Sequence, residues 1–154
     1  MHCVCSAEGV GVHHMALQAE NTETNLHPLT IQVVEDDPLA RLSVAGHLRD
    51  IGYFVVEAGT ADDAVSVLRS GTPVHLVFCD VELPGQMGGF SFAVWMRNHH
   101  RSIPVILTSG VGSVIPTLDR QHLIPFLRKP YRPEEAAELI ASVIAASPAG
   151  KKPE

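Results

Sequence analysis

The chain has 154 residues, of which 45% are hydrophobic and 18% are charged, and its formal net charge at pH 7 is −6. This length and composition predict one globular domain that buries a proper core. The acidic balance argues against nucleic acid and membrane surfaces as partners, and the sequence shows neither a membrane-spanning apolar run nor a secretory signal, so we expect a cytoplasmic protein.

Residues 1–28 are predicted to form a flexible leader, because they mix small, polar and histidine residues without a helix or strand period. The sequence is compatible with a start at Met1 or at Met15. Several possible metal ligands lie in this leader: His2, Cys3, Cys5, His13 and His14. Their spacing matches no zinc pattern, so a plain tail is favoured. The third cysteine, Cys79, lies in an apolar run, and the three together do not indicate a disulfide framework.

From Thr30 onward, short apolar runs alternate with helical patterns. Short runs bounded by glycine and proline are typical of buried strands in a parallel sheet. The predicted strands are residues 29–34, 53–56, 74–79, 104–107 and 124–127. Helices are predicted to begin at Asp37-Pro38, at Thr60, near Phe90 and at Pro133. A short or mobile helix is expected within residues 111–122, where Gly112 and Pro116 weaken the pattern.

The helical patterns also predict which side chains face the core. In the first helix these are Leu39, Leu42, Ala45 and Leu48, in the second Ala61, Ala64, Val65 and Leu68, and in the last Ala136, Leu139, Ile140 and Val143. Five strands alternating with five helices predict a doubly wound α/β sandwich over residues 29–147, followed by a polar tail at residues 148–154.

Charged residues follow three of the predicted strands. Glu35, Asp36 and Asp37 come after the first, Asp80 ends the third, and Lys129 follows the fifth. Ligands of open α/β sheets bind outside the carboxyl ends of the strands, so these groups are expected to converge. Clustered carboxylates are neutralised by a hard cation such as Mg²⁺. The pattern therefore indicates phosphate chemistry, with Asp80 as a metal ligand or as a nucleophile that forms an acyl phosphate.

A hydroxyl group at the end of the fourth strand, on Thr108 or Ser109, is a candidate to bond a phosphoryl oxygen. Taken singly, each of these signals is more typical of an ordinary surface loop or helix cap. Their order along the chain and their shared place at strand ends make the combination informative.

In this combination the chain resembles the receiver domains of bacterial two-component response regulators. The resemblance runs over residues 29–146 and is carried by four stretches: Val33–Arg41, Asp80–Gly85, Ile103–Gly110 and Phe126–Tyr131. It implies a flavodoxin-like parallel sheet with strand order 2-1-3-4-5 and Mg²⁺ as the cofactor. It also implies that the protein catalyses only its own Mg²⁺-dependent phosphorylation and dephosphorylation, and is otherwise no enzyme.

The resemblance assigns the acidic residues to a metal and phosphoacceptor site. Glu35 and Asp36 match the metal-site acids, with Asp36 as the direct ligand, and Asp37 falls outside the pair. Asp80 would bind the metal and accept the phosphoryl group, and the backbone carbonyl of Glu82 would complete the Mg²⁺ shell.

The remaining matches concern the phosphoryl group and its readout. Ser109, rather than Thr108, matches the switch hydroxyl, and Phe126 matches the aromatic switch position. Lys129 would bind the phosphoryl group, before a peptide bond to Pro130 that is cis in this family. Three departures put the loop and its partner surface in question: one extra residue after Asp80, Gly88 in place of Asp or Asn, and Tyr131 in place of the commoner Phe.

The leading hypothesis is a stand-alone, single-domain response regulator. It would take a phosphoryl group from a sensor histidine kinase or a phosphotransfer protein and signal by a change of shape to a downstream protein. The readout face would be the fourth helix, fifth strand and fifth helix, which is also the candidate surface for a homodimer. The alternatives are a pseudo-receiver that only binds proteins, a phosphate sink, and a Mg²⁺-dependent phosphohydrolase. The hydrolase is disfavoured because Glu82 stands where such enzymes carry a second Asp.

Overall fold

The structure, a computed structural model, describes residues 28–110 and 123–147. Five parallel strands form one sheet in the order β2-β1-β3-β4-β5. The strands are β1 (Thr30–Val34), β2 (Phe54–Ala58), β3 (Leu76–Asp80), β4 (Val105–Ser109) and β5 (Phe126–Arg128). The predicted doubly wound fold and its strand order are confirmed.

Four helices lie in the described ranges: α1 (Pro38–Asp50), α2 (Ala61–Arg69), α3 (Gly89–His99) and α4 (Pro133–Ala146). The helix expected within residues 111–122, most of the predicted leader and the predicted tail lie outside the described residues. No helix within those ranges has both the length and the apolar character of a membrane span.

The sheet separates two apolar layers, because successive side chains of a strand point to opposite faces. One face packs Val34, Cys79 and Leu107 against α2 and α3. The other face packs Ile31, Phe78 and Ile106 against α1 and α4. The central strands β1 and β3 are buried along their whole length, which fits the near-continuous apolar runs of their sequence.

Local signals in the sequence start the helices where they were predicted. The carboxylate of Asp37 accepts hydrogen bonds from the backbone N–H groups of Leu39 and Ala40 and so caps α1. The hydroxyl of Thr60 accepts from the N–H of Asp63 at the start of α2. The predicted core residues of α2 are all buried, as are Ala136 and Ile140 of α4.

The predicted core face of α1 was wrong in part. Ala45 and Leu48 are buried together with Val44, but the side chains of Leu39 and Leu42 are 78% and 58% exposed. Leu39 lies about two and a half turns before Leu48, so the two point to opposite sides of the helix. The predicted apolar stripe therefore combined residues from two different faces of the helix. As a result, α1 presents two leucines to solvent beside the carboxyl edge of the sheet.

Candidate functional site

The carboxyl ends of β1 and β3 bring three acidic side chains together. Val34 of β1 pairs with Cys79 of β3, so Glu35 and Asp80 follow at adjacent positions of neighbouring strands. Oxygen atoms of the Glu35, Asp36 and Asp80 carboxylates all lie within 4.8 Å of one another. Glu35 and Asp80 are each only 5% exposed, whereas Asp36 is exposed. The predicted convergence of these acids is therefore present in the fold.

Lys129 joins this cluster from the end of β5. Its ammonium group donates hydrogen bonds to Glu35 Oε2 at 2.7 Å and to Asp80 Oδ2 at 2.5 Å. Its backbone N–H donates to the carbonyl of Ser109 at 2.8 Å, which fixes the lysine against β4. The peptide bond from Lys129 to Pro130 is cis, as the resemblance implied. One cation thus lies between two buried carboxylates.

The pKa values of Glu35 and Lys129 are both raised, but for different physical reasons. Burial, reinforced by the Asp80 carboxylate, raises the pKa of Glu35 although Lys129 opposes the shift. Burial acts to lower the pKa of Lys129, but hydrogen bonds to Asp80 and Glu35 outweigh it and the pKa is raised. The ammonium group therefore stays charged throughout the physiological range.

The carboxylate of Asp80 is oriented by backbone as well as by Lys129. Its Oδ1 atom accepts a hydrogen bond from the N–H of Glu82 at 3.0 Å. The N terminus of α3 presses on the same segment, where the N–H of Gly89 donates to the carbonyl of Val81 at 3.0 Å. A β-carbon on Gly89 would overlap the carbonyl oxygen of Asp80, so only glycine permits this approach.

Two hydroxyl groups at the end of β4 lie next to the acids. Thr108 pairs with Asp80 across the sheet, and Ser109 follows it. Their side chains are 1% and 0% exposed, and the hydroxyl oxygen of Ser109 has no hydrogen-bond partner among the described residues. A buried hydroxyl without a partner costs free energy, which is typical of a site that receives a further polar group.

Ser109 shares a sheet face with Phe126. Phe126 pairs with Leu107, and Ser109 lies two residues beyond Leu107 on the same strand, so alternation puts them on one face. Phe126 is half-buried and packs at the margin of the α2/α3 layer. The two residues matched to the switch positions therefore lie on the same face of neighbouring strands.

Two further residues lie beside the cluster. The carboxylate of Asp37 caps α1, and its backbone N–H donates to Glu35 Oε1 at 3.2 Å. Arg41 carries a contact that the sequence analysis did not assign: its guanidinium donates to the backbone carbonyl of Glu35 at 2.6 Å. The sequence signal for this contact was an arginine placed one turn into a helix that directly follows an acidic loop.

The donor set fits a divalent cation. Hard cations bind carboxylate oxygens, and Mg²⁺ usually takes one or two carboxylates together with waters and phosphate oxygens. Glu35, Asp36 and Asp80 offer three carboxylates within one coordination sphere, two of them buried. The residues present therefore suit Mg²⁺, with Asp36 on the solvent side.

Comparisons with known proteins agree with this geometry. A sequence model of the response regulator receiver domain matches residues 31–141. Response regulator Rre1 of Synechocystis sp. is 30% identical over 123 residues, which are 77% of this chain and 52% of Rre1. The nitrogen assimilation regulatory protein NtrX of Azorhizobium caulinodans is 30% identical over 66% of this chain and 23% of its own length. The chain thus spans about half of the first relative and about a quarter of the second.

A solved structure is similar over the same region. The crystal structure of the receiver domain of NtrX from Brucella abortus aligns with a TM-score of 0.68 and 28% sequence identity. The alignment covers 76% of this chain and 99% of that domain. The aligned part of the chain therefore corresponds to nearly the whole of that receiver domain.

Proposed function

Because the chain belongs to the response regulator receiver domain family, we propose that Asp80 accepts a phosphoryl group from a phosphohistidine and passes the signal on by a change of shape. The supporting observation is the placement of Asp80 itself. Its carboxylate is buried, oriented by the Glu82 N–H, and hydrogen-bonded to the ammonium group of Lys129.

The transfer step follows from this arrangement. A carboxylate oxygen of Asp80 attacks phosphorus, the bond from phosphorus to the donor's imidazole nitrogen breaks, and its electron pair stays on that nitrogen. Mg²⁺, held by Glu35, Asp36, Asp80 and the backbone carbonyl of Glu82, would neutralise charge on the phosphoryl oxygens. Lys129 supplies a second positive charge on the same side.

The readout proposal rests on Ser109 and Phe126. The unpartnered hydroxyl of Ser109 would bond a phosphoryl oxygen on Asp80, and Phe126 would turn inward on the sheet face that it shares with Ser109. The signal would reach a downstream protein, or a second copy of the chain, through a face that includes β5 and α4. We propose the cytoplasm as the compartment, and the single-domain organisation stays a prediction.

Phosphorylation with a small-molecule donor tests the acceptor. Acetyl phosphate or phosphoramidate with Mg²⁺ should give a phosphoprotein that is stable in acid and labile in base, as expected for an acyl phosphate. A chelator, or the substitution Asp80→Asn, should abolish the label. An unlabelled wild type would instead indicate a pseudo-receiver, and label that persists in Asp80→Asn would refute the acceptor assignment.

We further propose that the two exposed leucines of α1 bind the protein that donates the phosphoryl group. A groove of about 460 Å³ opens beside Lys129 and is lined in part by Ala40, Ser43 and Tyr131. Leu39 and Leu42 lie on the same helix as its wall, 78% and 58% exposed. Large exposed apolar side chains are typical of surfaces on which another protein docks.

Replacing both Leu39 and Leu42 by serine should separate docking from chemistry. We expect phosphotransfer from a histidine kinase or phosphotransfer protein to fall at least about tenfold, because each lost apolar anchor costs about 1 kcal/mol or more. Labelling by acetyl phosphate should not change, since neither leucine contacts the acids. The double substitution Ile51→Ser and Phe54→Ser, at exposed positions before and at the start of β2, is the matched control. Equal losses with both donors would contradict the docking role.

A further inference from the structure

Arg41 connects the acidic loop to the edge of the sheet. Its side chain is 21% exposed and reaches from α1 to two different partners. Nη1 donates to the backbone carbonyl of Glu35 at 2.6 Å, and Nε donates to Glu57 Oε2 on β2 at 3.3 Å. Neither contact takes part in the phosphoryl chemistry described above.

The carbonyl that Arg41 binds belongs to the peptide that joins the two metal-site acids. A peptide group is planar, so the direction of the Glu35 carbonyl fixes the plane that also contains the α-carbon of Asp36. The other polar groups of Glu35 are engaged too: its N–H donates to Ala58, Oε1 accepts from the N–H of Asp37, and Oε2 accepts from Lys129. Arg41 supplies the bond that orients the carbonyl.

Glu57 holds the arginine in place. Its second oxygen, Oε1, accepts from Arg49 Nη2 at 2.7 Å, and Arg49 also donates to the carbonyl of Val55 at 3.2 Å. The carboxylate of Glu57 is therefore fixed against β2 and α1, and it offsets the positive charge of Arg41. The guanidinium suits this task because its planar donors bind two acceptors in a fixed geometry.

We propose that Arg41 is a positioning residue for the metal site, which orients the Glu35–Asp36 peptide so that both carboxylates face a bound Mg²⁺. The proposal rests on the proposed function, since it concerns the metal site of that chemistry. Groups that orient metal ligands from outside the coordination sphere commonly change metal affinity by 10- to 100-fold when they are removed.

The direction of the change in Mg²⁺ affinity on removal of Arg41 distinguishes a positioning role from a purely electrostatic one. Removing a positive charge near a cation site should tighten Mg²⁺ binding if electrostatics alone operate. Loss of positioning should weaken it. Arg49 provides a matched control, because it binds the same Glu57 carboxylate but has no contact with Glu35.

Calorimetric titration of the unphosphorylated full chain with MgCl₂ tests the proposal. Arg41→Ala should raise the Mg²⁺ dissociation constant about tenfold, whereas Arg49→Ala should leave it near the wild-type value. Urea unfolding of both variants measures any common loss of stability. Arg41→Lys keeps the charge without the planar fork, so it should show most of the same loss and serves if Arg41→Ala does not fold.

Unchanged or tighter Mg²⁺ binding in Arg41→Ala would overturn the proposal, as would an equal loss in Arg49→Ala or wild-type affinity in Arg41→Lys. If wild type still accepts phosphate on Asp80 in those cases, the proposed function stands. A wild type that neither binds Mg²⁺ nor accepts the phosphoryl group would overturn both.

Discussion

Replacing Gly89 by alanine is expected to lower the free energy of unfolding by about 1–3 kcal/mol. The added methyl group would overlap the carbonyl oxygen of Asp80 and lie 2.7 Å from its carbonyl carbon and 2.9 Å from the α-carbon of Val81. Those atoms are backbone, so they cannot move aside as a flexible side chain does. Either α3 shifts outward or the segment after Asp80 is displaced, and both changes disturb the phosphoacceptor.

The neighbouring glycine offers a matched control. Gly88 has a φ of −74° as the N-cap of α3, and a β-carbon there would meet only the Val81 carbonyl at 3.7 Å. Gly88→Ser should therefore keep or slightly increase stability, because serine is a better cap than glycine. Urea denaturation of the three proteins gives the comparison. Equal stability of Gly89→Ala and wild type would show that α3 does not press on the Asp80 backbone.

Replacing Lys129 by alanine should both destabilise the metal-free protein and slow phosphorylation. The substitution leaves the Glu35 and Asp80 carboxylates buried without their counter-charge. Breaking a buried ion pair by removing one partner costs about 3–5 kcal/mol, and a value near the lower end is expected because Lys129 is 27% exposed. Mg²⁺ should restore more stability to Lys129→Ala than to wild type, because it replaces the missing cation.

The pH dependence of this loss has a definite sign. Lys129 lowers the pKa of Glu35, so its removal raises further a pKa that burial already holds above the ordinary value. A carboxyl group with a raised folded-state pKa destabilises the fold when it is ionised. The loss in free energy of unfolding caused by Lys129→Ala should therefore be largest at neutral pH, and it should shrink as the pH falls toward about 4.

A double-mutant cycle checks the origin of the effect. Glu35→Gln removes one of the two buried charges, so Lys129→Ala should cost less in that background than in wild type. Thermal or urea unfolding in a chelator at pH 5 and pH 8 measures all four proteins. A loss that is independent of pH and of Glu35 would contradict the ion-pair explanation.

The sequence predicted the fold because local and global signals agree in this chain. Buried parallel strands are apolar on both faces, so β1 and β3 stand out as runs that end at Glu35 and Asp80. Thr60 and Asp37 begin their helices by hydrogen bonds between neighbours in sequence, which a reader of the sequence can anticipate.

The features that the sequence predicted wrongly or did not predict depend on contacts between segments that are distant in sequence. Which face of α1 is buried depends on how the helix sits on the sheet, so Leu39 and Leu42 were placed in the core and lie in solvent. The proposed positioning role of Arg41 depends on the approach of β2, which brings Glu57 beside its guanidinium group. The constraint on Gly89 arises from the backbone of Asp80, nine residues earlier. A single glycine in the sequence does not reveal such a contact.

Chemical mapping of the phosphorylated residue distinguishes Asp80 from the neighbouring acids. Borohydride reduces an aspartyl phosphate to homoserine, so protein treated with acetyl phosphate and Mg²⁺ can be reduced, digested and sequenced by mass spectrometry. We expect homoserine at position 80 and aspartate at positions 36 and 37, and no homoserine when a chelator is present. Homoserine at position 36 or 37, or none at all in protein that binds Mg²⁺, would contradict it.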